Sequence, residues 1–194
     1  MLAEDISILS LKVSEQDDER AFEQIFLHFY PRLFSFALAY LKNRDWATEV
    51  VEDALIYIWE NRKVLPAVKN LTYYLYVATR NGALNCLKKN RREATLHLDE
   101  AQPDAMQFHR DPENILISEE ILQSIEKAIS ALPAKCQLIF RLVKEEGLKY
   151  REVAELLGIS VKTVEAQMSI ALRRIQEALP QHLSGQYRQG AQPR

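Results

Sequence analysis

The chain has 194 residues, 47% of them apolar, with only five glycines and a formal net charge of −2. That is enough apolar material for one large or two small packed cores, and the scarcity of glycine and of strand-like alternation predicts an all-helical protein. No apolar run approaches the roughly 20 residues that span a bilayer, and the start MLAEDISILSLKV lacks the basic region and cleavage site of a signal peptide, so a cytoplasmic protein is expected.

Cys86 and Cys136 stand alone, with no CxxC pair and no histidine at ligand spacing, and read as reduced structural cysteines. His28, His97, His109 and His182 are scattered, nothing groups a Ser, Asp and His as a nucleophile system, and no phosphate-binding glycine loop occurs. No catalysis, metal, cofactor or small-molecule substrate is therefore expected.

Residues 1–18 read as a weakly patterned lead-in. A helix is predicted from Glu19 to Tyr30, with Phe22, Ile25, Phe26 and Phe29 on one stripe. Pro31 suits the first turn of a second, strongly apolar helix running to Leu41, because its missing N–H costs nothing there. After a turn at 43–45, with Asp45 as N-cap, a third helix is predicted from Trp46 to Asn61. Its acids Glu49, Glu52, Asp53 and Glu60 lie among the apolar positions, so part of it must face outward. A loop from Arg62 to Asn70, containing Lys63, Pro66 and Lys69, leads to a fourth helix from Leu71 to Lys89.

Charge is segregated along this first unit. Asp45, Glu49, Glu52, Asp53 and Glu60 occur with no Lys or Arg between them. From Leu71 to Arg92 there is no acid, yet Arg80, Lys88, Lys89, Arg91 and Arg92 are present. One surface suits a basic partner and the next suits phosphates. Tyr73, Tyr74 and Tyr76 sit at the opposite end of that helix from the basic cluster, with Arg80 and Asn81 between. Aromatic faces can stack on bases expelled from a duplex while cations track the backbone; for Tyr76, core packing is the expected role.

Residues 93–116 are polar, carry two prolines and read as a linker. A second helical unit, 117–180, follows, and 181–194 is a Gln- and Gly-rich tail. Within the second unit, Val153, Leu156 and Leu157 recur at helical spacing, and Gly158 supplies a left-handed C-cap. Ile159 can plug the turn, Ser160 is an N-cap, and a second periodic run takes in Val164, Met168, Ala171, Leu172 and Ile175. Ala154 falls where two crossing helices tolerate little more than a methyl group. This is the pattern of a helix-turn-helix, whose second helix can enter the DNA major groove, although other helical hairpins share it.

Three blocks, taken in order, resemble the extracytoplasmic-function (ECF) sigma factors of the sigma-70 family. ATEVVEDALIYIWENR resembles that family's polymerase-binding helix, NLTYYLYVATRNGALNCLKKNRR its promoter-melting and −10-reading helix, and the segment from Leu132 to Ile175 its −35-reading domain. The resemblance implies two small helical domains joined by a flexible linker, the C-terminal one bearing the helix-turn-helix. It implies that Glu49, Glu52, Asp53 and Ile56 bind core RNA polymerase. It further implies that Lys63, Lys69, Asn70, Tyr73, Tyr74, Arg80, Asn81, Lys88, Lys89 and Arg91 hold the −10 region of promoter DNA. In the second domain, Ser160, Lys162, Thr163, Glu165, Ala166 and Gln167 would open the recognition helix, with Arg173 and Arg174 on phosphates. An anti-sigma factor is implied as a further partner. The chain departs from the family pattern in having Tyr74 where tryptophan is common, Asn85 and Thr48 where acids are common, and Glu52 in place of a frequent glutamine.

Two other readings fit parts of the chain. An autonomous helix-turn-helix regulator binding operators as a dimer leaves the N-terminal block without a role. A nucleic-acid-processing enzyme built on the basic aromatic helix needs a metal or acid–base cluster that the sequence does not offer.

Overall fold

The computed structural model describes residues 3–93 and 119–178, which are helical with short turns and contain no strand. They belong to two compact units, one on each side of residues 110–111. The expected linker, apart from its first residue, and the expected tail lie outside the described residues.

The first unit holds α1 (Ala3–Gln16), α2 (Glu19–Leu41), α3 (Arg44–Glu60), a 3-10 turn (Arg62–Ala67) and α4 (Leu71–Glu93). Helices α2, α3 and α4 pack on one another, and α1 lies against α2 and the 3-10 turn. Their shared core contains Ile25, Phe29, Leu33, Phe36, Val51, Leu55, Leu75 and Tyr76, all fully buried. The expected core role of Tyr76 is met: its ring stands edge-on to Phe36, with centroids 5.0 Å apart.

Three sequence-based expectations change here. Residues 1–18, read as a weakly patterned lead-in, contain a packed helix: 3–16 form α1, which buries Leu9, Ser10, Val13 and Ser14. Two of those four buried positions are serines, which hides the period from a hydrophobicity reading; Ser10 is made tolerable by donating to the Ile6 carbonyl at 2.7 Å. The predicted helices 19–30 and 31–41 are one continuous α2, with Pro31 inside it. An interior proline costs about 3 kcal/mol. Ile25 and Phe29 before it and Leu33, Phe36 and Ala37 after it are all fully buried, and at roughly 1.5–3 kcal/mol per large apolar side chain that burial outweighs the proline. Finally, the N-cap of α3 is Asn43, whose Oδ1 accepts from the Trp46 amide at 3.0 Å, while Asp45 lies inside the first turn.

The second unit holds α5 (Glu119–Ser130), α6 (Ala134–Lys144), α7 (Tyr150–Leu157) and α8 (Val161–Ala178). Helix α8 packs on α5, α6 and α7. Leu138, Ile139, Leu142, Val153, Leu156, Val164, Met168 and Ala171 form the core. Arg141 of α6 is buried to 2% exposure and is held by Glu126 of α5 and, at 2.8 Å, by Glu145. Gln137 adds a second tie by donating to the Ile129 carbonyl at 3.2 Å.

Candidate functional site

On α3 the buried positions Ala47, Val50, Val51, Ala54, Leu55 and Ile58 define the inward stripe. Glu49, Glu52, Asp53 and Glu60 are exposed on the opposite side, together with Ile56 at 51% and Tyr57 at 52%. Four carboxylates around two exposed apolar side chains make a surface that attracts a basic partner and offers it an apolar anchor. All four expected residues of this face (Glu49, Glu52, Asp53 and Ile56) are brought together on it, and Tyr57 joins them.

Helix α4 begins at Asn70, whose Oδ1 accepts from the Tyr73 amide at 3.0 Å, so this side chain is the helix cap. The expected DNA-binding residues then divide by helical phase. Asn81 and Lys88, two turns apart, are exposed on the outward side. Arg80 turns to the α2 flank, where it hydrogen-bonds Tyr40; burial raises the pKa of that phenol and Arg80 opposes the rise. Tyr73 is half-buried at the same helical phase as Arg80. Tyr74 and Lys89 turn instead to α3 and line a groove with Glu49, Asp53, Tyr57 and Cys86. The Tyr74 phenol is pushed up by burial and by its hydrogen-bonded neighbour Tyr57. Arg91 falls in the last turn of α4.

Gly82 is what lets α3 and α4 approach. A Cβ placed on it would stand 2.9 Å from Cγ1 of Val50. Cys86, half-buried on the groove wall, is a free thiol held up by burial and by Glu49, and Cys136 is free and buried.

The loop residues have mixed positions. Lys69 is exposed. Lys63 is also exposed along its stem, but its ammonium donates to the Ser14 carbonyl at 2.8 Å and to Asp17 at 3.2 Å. The sequence reading offers Lys63 to DNA; the structure attaches it to the C-terminal end of α1.

In the second unit, α7 and α8 form the helix-turn-helix. Gly158 ends α7 in the left-handed conformation (φ 65°), which only glycine adopts without steric cost. The Ile159 amide donates back to the Ala154 carbonyl at 3.0 Å. Ala154 is buried at the crossing, as its small size requires. Ser160 caps α8 by accepting from the Thr163 amide at 3.1 Å, and the two hydroxyls bond each other at 2.9 Å. Gln167 is half-buried, with its backbone carbonyl accepting from Cys136 Sγ at 3.3 Å. Lys162, Glu165, Ala166, Arg173 and Arg174 are exposed. Of the expected reading set, Ser160 and Thr163 are therefore engaged in capping and Gln167 faces partly inward. Val161, 38% exposed, and Ser169 are additional outward residues outside the set expected from the sequence.

Comparison with known proteins matches both units. The Sigma-70 region 2 family model covers residues 25–93, and the Sigma-70, region 4 model covers residues 122–175. The chain is 24% identical over 161 residues to the ECF RNA polymerase sigma-E factor of Escherichia coli K12, covering 79% of this chain and 84% of that one. It is 23% identical over 177 residues to the ECF RNA polymerase sigma factor RpoE of Cereibacter sphaeroides, covering 89% and 91%. Among solved structures, the sigma factor RpoE in complex with the anti-sigma factor NepR from Bartonella quintana aligns with a TM-score of 0.47 and 25% identity, covering 81% of this chain and 95% of that one.

Proposed function

Because the chain belongs to the ECF group of the sigma-70 family, and so is a sigma factor that directs RNA polymerase to promoters, we propose how its surfaces divide that work. Residues 19–92 bind core polymerase and open the −10 element, residues 117–180 read the −35 element, and 93–116 link the two. The acidic face of α3 docks on a basic partner segment of the polymerase through Glu49, Glu52 and Asp53, with Ile56 and Tyr57 as the apolar anchor. Helix α4 holds the opened −10 strand. Its cations, Lys88 on the outward side and Lys89 at the edge of the groove with α3, track phosphates, Asn81 bonds base edges, and the half-buried Tyr73 and Tyr74 offer ring faces. Helix α8 enters the major groove, with Arg173 and Arg174 on backbone phosphates.

The observation that carries this reading is the opposition, within one helical unit, of an exposed acidic face on α3 and an α4 free of acids before its last residue. With a net charge of −2 the free protein gains little from blanket attraction to DNA. Two weak readers carried together on polymerase act at high effective concentration, so neither needs tight binding alone. The factor itself supplies positioning and strand capture, the polymerase supplies the chemistry, and the work is done in the cytoplasm. Among the described residues no helix is long and apolar enough to cross a membrane. An anti-sigma factor that covers these surfaces, of the kind bound to the Bartonella protein, completes the partner set.

The test is comigration with purified core polymerase. Wild-type protein should travel with the core enzyme, and the double variant Glu52→Lys, Asp53→Lys should not, while its own melting stays unchanged. Equal comigration of the two would refute the assignment of this face.

A further inference from the structure

We propose that Glu165 selects a cytosine within the upstream promoter element, making it a specificity-determining residue of α8. The inference rests on the assignment of α7 and α8 to that element and adds to it the identity of one base. The three hydroxyls at the start of α8 already have partners inside the protein. Ser160 and Thr163 bond each other and the helix cap, and Ser169 donates to the Glu165 carbonyl at 2.9 Å. Gln167 is half-buried, its backbone carbonyl accepting from Cys136 of α6, so its side chain is less exposed to a groove than those around it. Val161 and Ala166 are exposed but carry no polar group. That leaves Lys162 and Glu165 as the exposed polar ends on the first two turns. Among the described residues, the Glu165 carboxylate takes part in no hydrogen bond or ion pair.

A carboxylate carried into the major groove is a discriminator because most of what it meets repels it. Phosphates are anionic, guanine presents O6 and N7, thymine presents O4, and adenine places its N7 acceptor beside its amino group. Cytosine N4 is the donor that a carboxylate accepts from without an acceptor on the same base beside it in the groove. Lys162, three residues earlier, stands roughly 4.5 Å back along the helix axis, close to one base-pair rise of about 3.4 Å. It therefore addresses a neighbouring pair, where an ammonium favours guanine O6 and N7.

The experiment is transcription by core polymerase loaded with full-length protein, on a promoter pool whose upstream element is randomised. Wild-type protein should enrich cytosine at one upstream position by about tenfold or more. Glu165→Gln should shift that position toward adenine, because a carboxamide can accept from N6 and donate to N7 at once, and should leave the other positions alone. Glu165→Ala should lose the cytosine preference without gaining adenine, and Lys162→Ala should alter a different position. The site is exposed, so melting curves of all three variants should overlay wild type. An unchanged base profile in Glu165→Gln and Glu165→Ala would overturn the role of Glu165 while leaving the family assignment intact. A wild-type profile with no upstream preference at all would overturn the assignment of α8 as well.

Discussion

Asp17 and Arg62, 45 positions apart in sequence, are joined by a hydrogen-bonded ion pair, with Arg62 Nε 2.5 Å from Asp17 Oδ1. The same oxygen accepts from Lys63 at 3.2 Å. Arg62 is held on its other side by the Trp59 ring, 4.6 Å from its guanidinium, and by the Trp59 carbonyl at 2.9 Å. Asp17 itself is left-handed (φ 53°), the conformation that turns the chain from α1 into α2. One carboxylate therefore joins the N-terminal helix to the turn that precedes α4.

This joint is predicted to depend on pH. Arg62 first, and Lys63 second, hold the Asp17 carboxyl below the usual carboxylate range. A depressed acid contributes stability that is fully present above its unfolded-state value and is lost as pH falls through the folded one. Asp17→Asn should therefore loosen the 3-10 turn at neutral pH, seen as faster amide exchange over residues 62–67. At a pH below the folded value, wild type and variant should exchange alike. The site is exposed, so global stability should change little.

Gly82→Ala should destabilise the first unit even though alanine is the better helix former. The new methyl would lie 2.9 Å from Val50 Cγ1. Overpacking costs about 1–3 kcal/mol against a helix-propensity gain of about 1 kcal/mol, for a net loss of about 1 kcal/mol by denaturant titration. Adding Val50→Ala should recover part of the loss, since it removes the methyl that is struck.

In the second unit, Arg141→Ala should cost about 3–5 kcal/mol, because it leaves Glu126 and Glu145 facing a partly buried gap without their shared cation. Urea unfolding should show the loss in the transition of the second unit. A variant as stable as wild type would mean that the network adds nothing to the packing of α5 on α6.

Tyr74 offers a test of strand capture. Tyr74→Phe keeps the ring and loses the bond to Tyr57, so open-complex formation should stay near wild type. Tyr74→Ala should reduce it about 5- to 150-fold, the equivalent of roughly 1–3 kcal/mol of base stacking. Equal behaviour of the two variants would remove the ring from the mechanism.

Much of this molecule was legible in its sequence. The helix-turn-helix could be read because glycine at 158, serine at 160 and alanine at 154 each answer a local geometric demand. The acidic face of α3 could be read because helical spacing alone brings Glu49, Glu52, Asp53 and Ile56 to one side. What stayed hidden depended on tertiary neighbours. Buried serines masked α1, and a deep core carried α2 straight through Pro31. Lys63 reads from the sequence as available to DNA, whereas its ammonium is bonded to the end of α1. Arg141 is almost wholly buried against the Glu126 and Glu145 carboxylates, a placement that only the packing of the second unit reveals. Gly82 carried no signal, since a glycine inside a helix is informative only once the facing helix is known.

The most direct test is run-off transcription by purified core polymerase on fragmented genomic DNA from the organism that carries this gene, with and without the protein. Transcripts that start only when it is added, and that share two spaced upstream motifs, are the predicted result. Initiation that does not depend on the protein, together with tight operator binding in the absence of polymerase, would contradict the sigma-factor account.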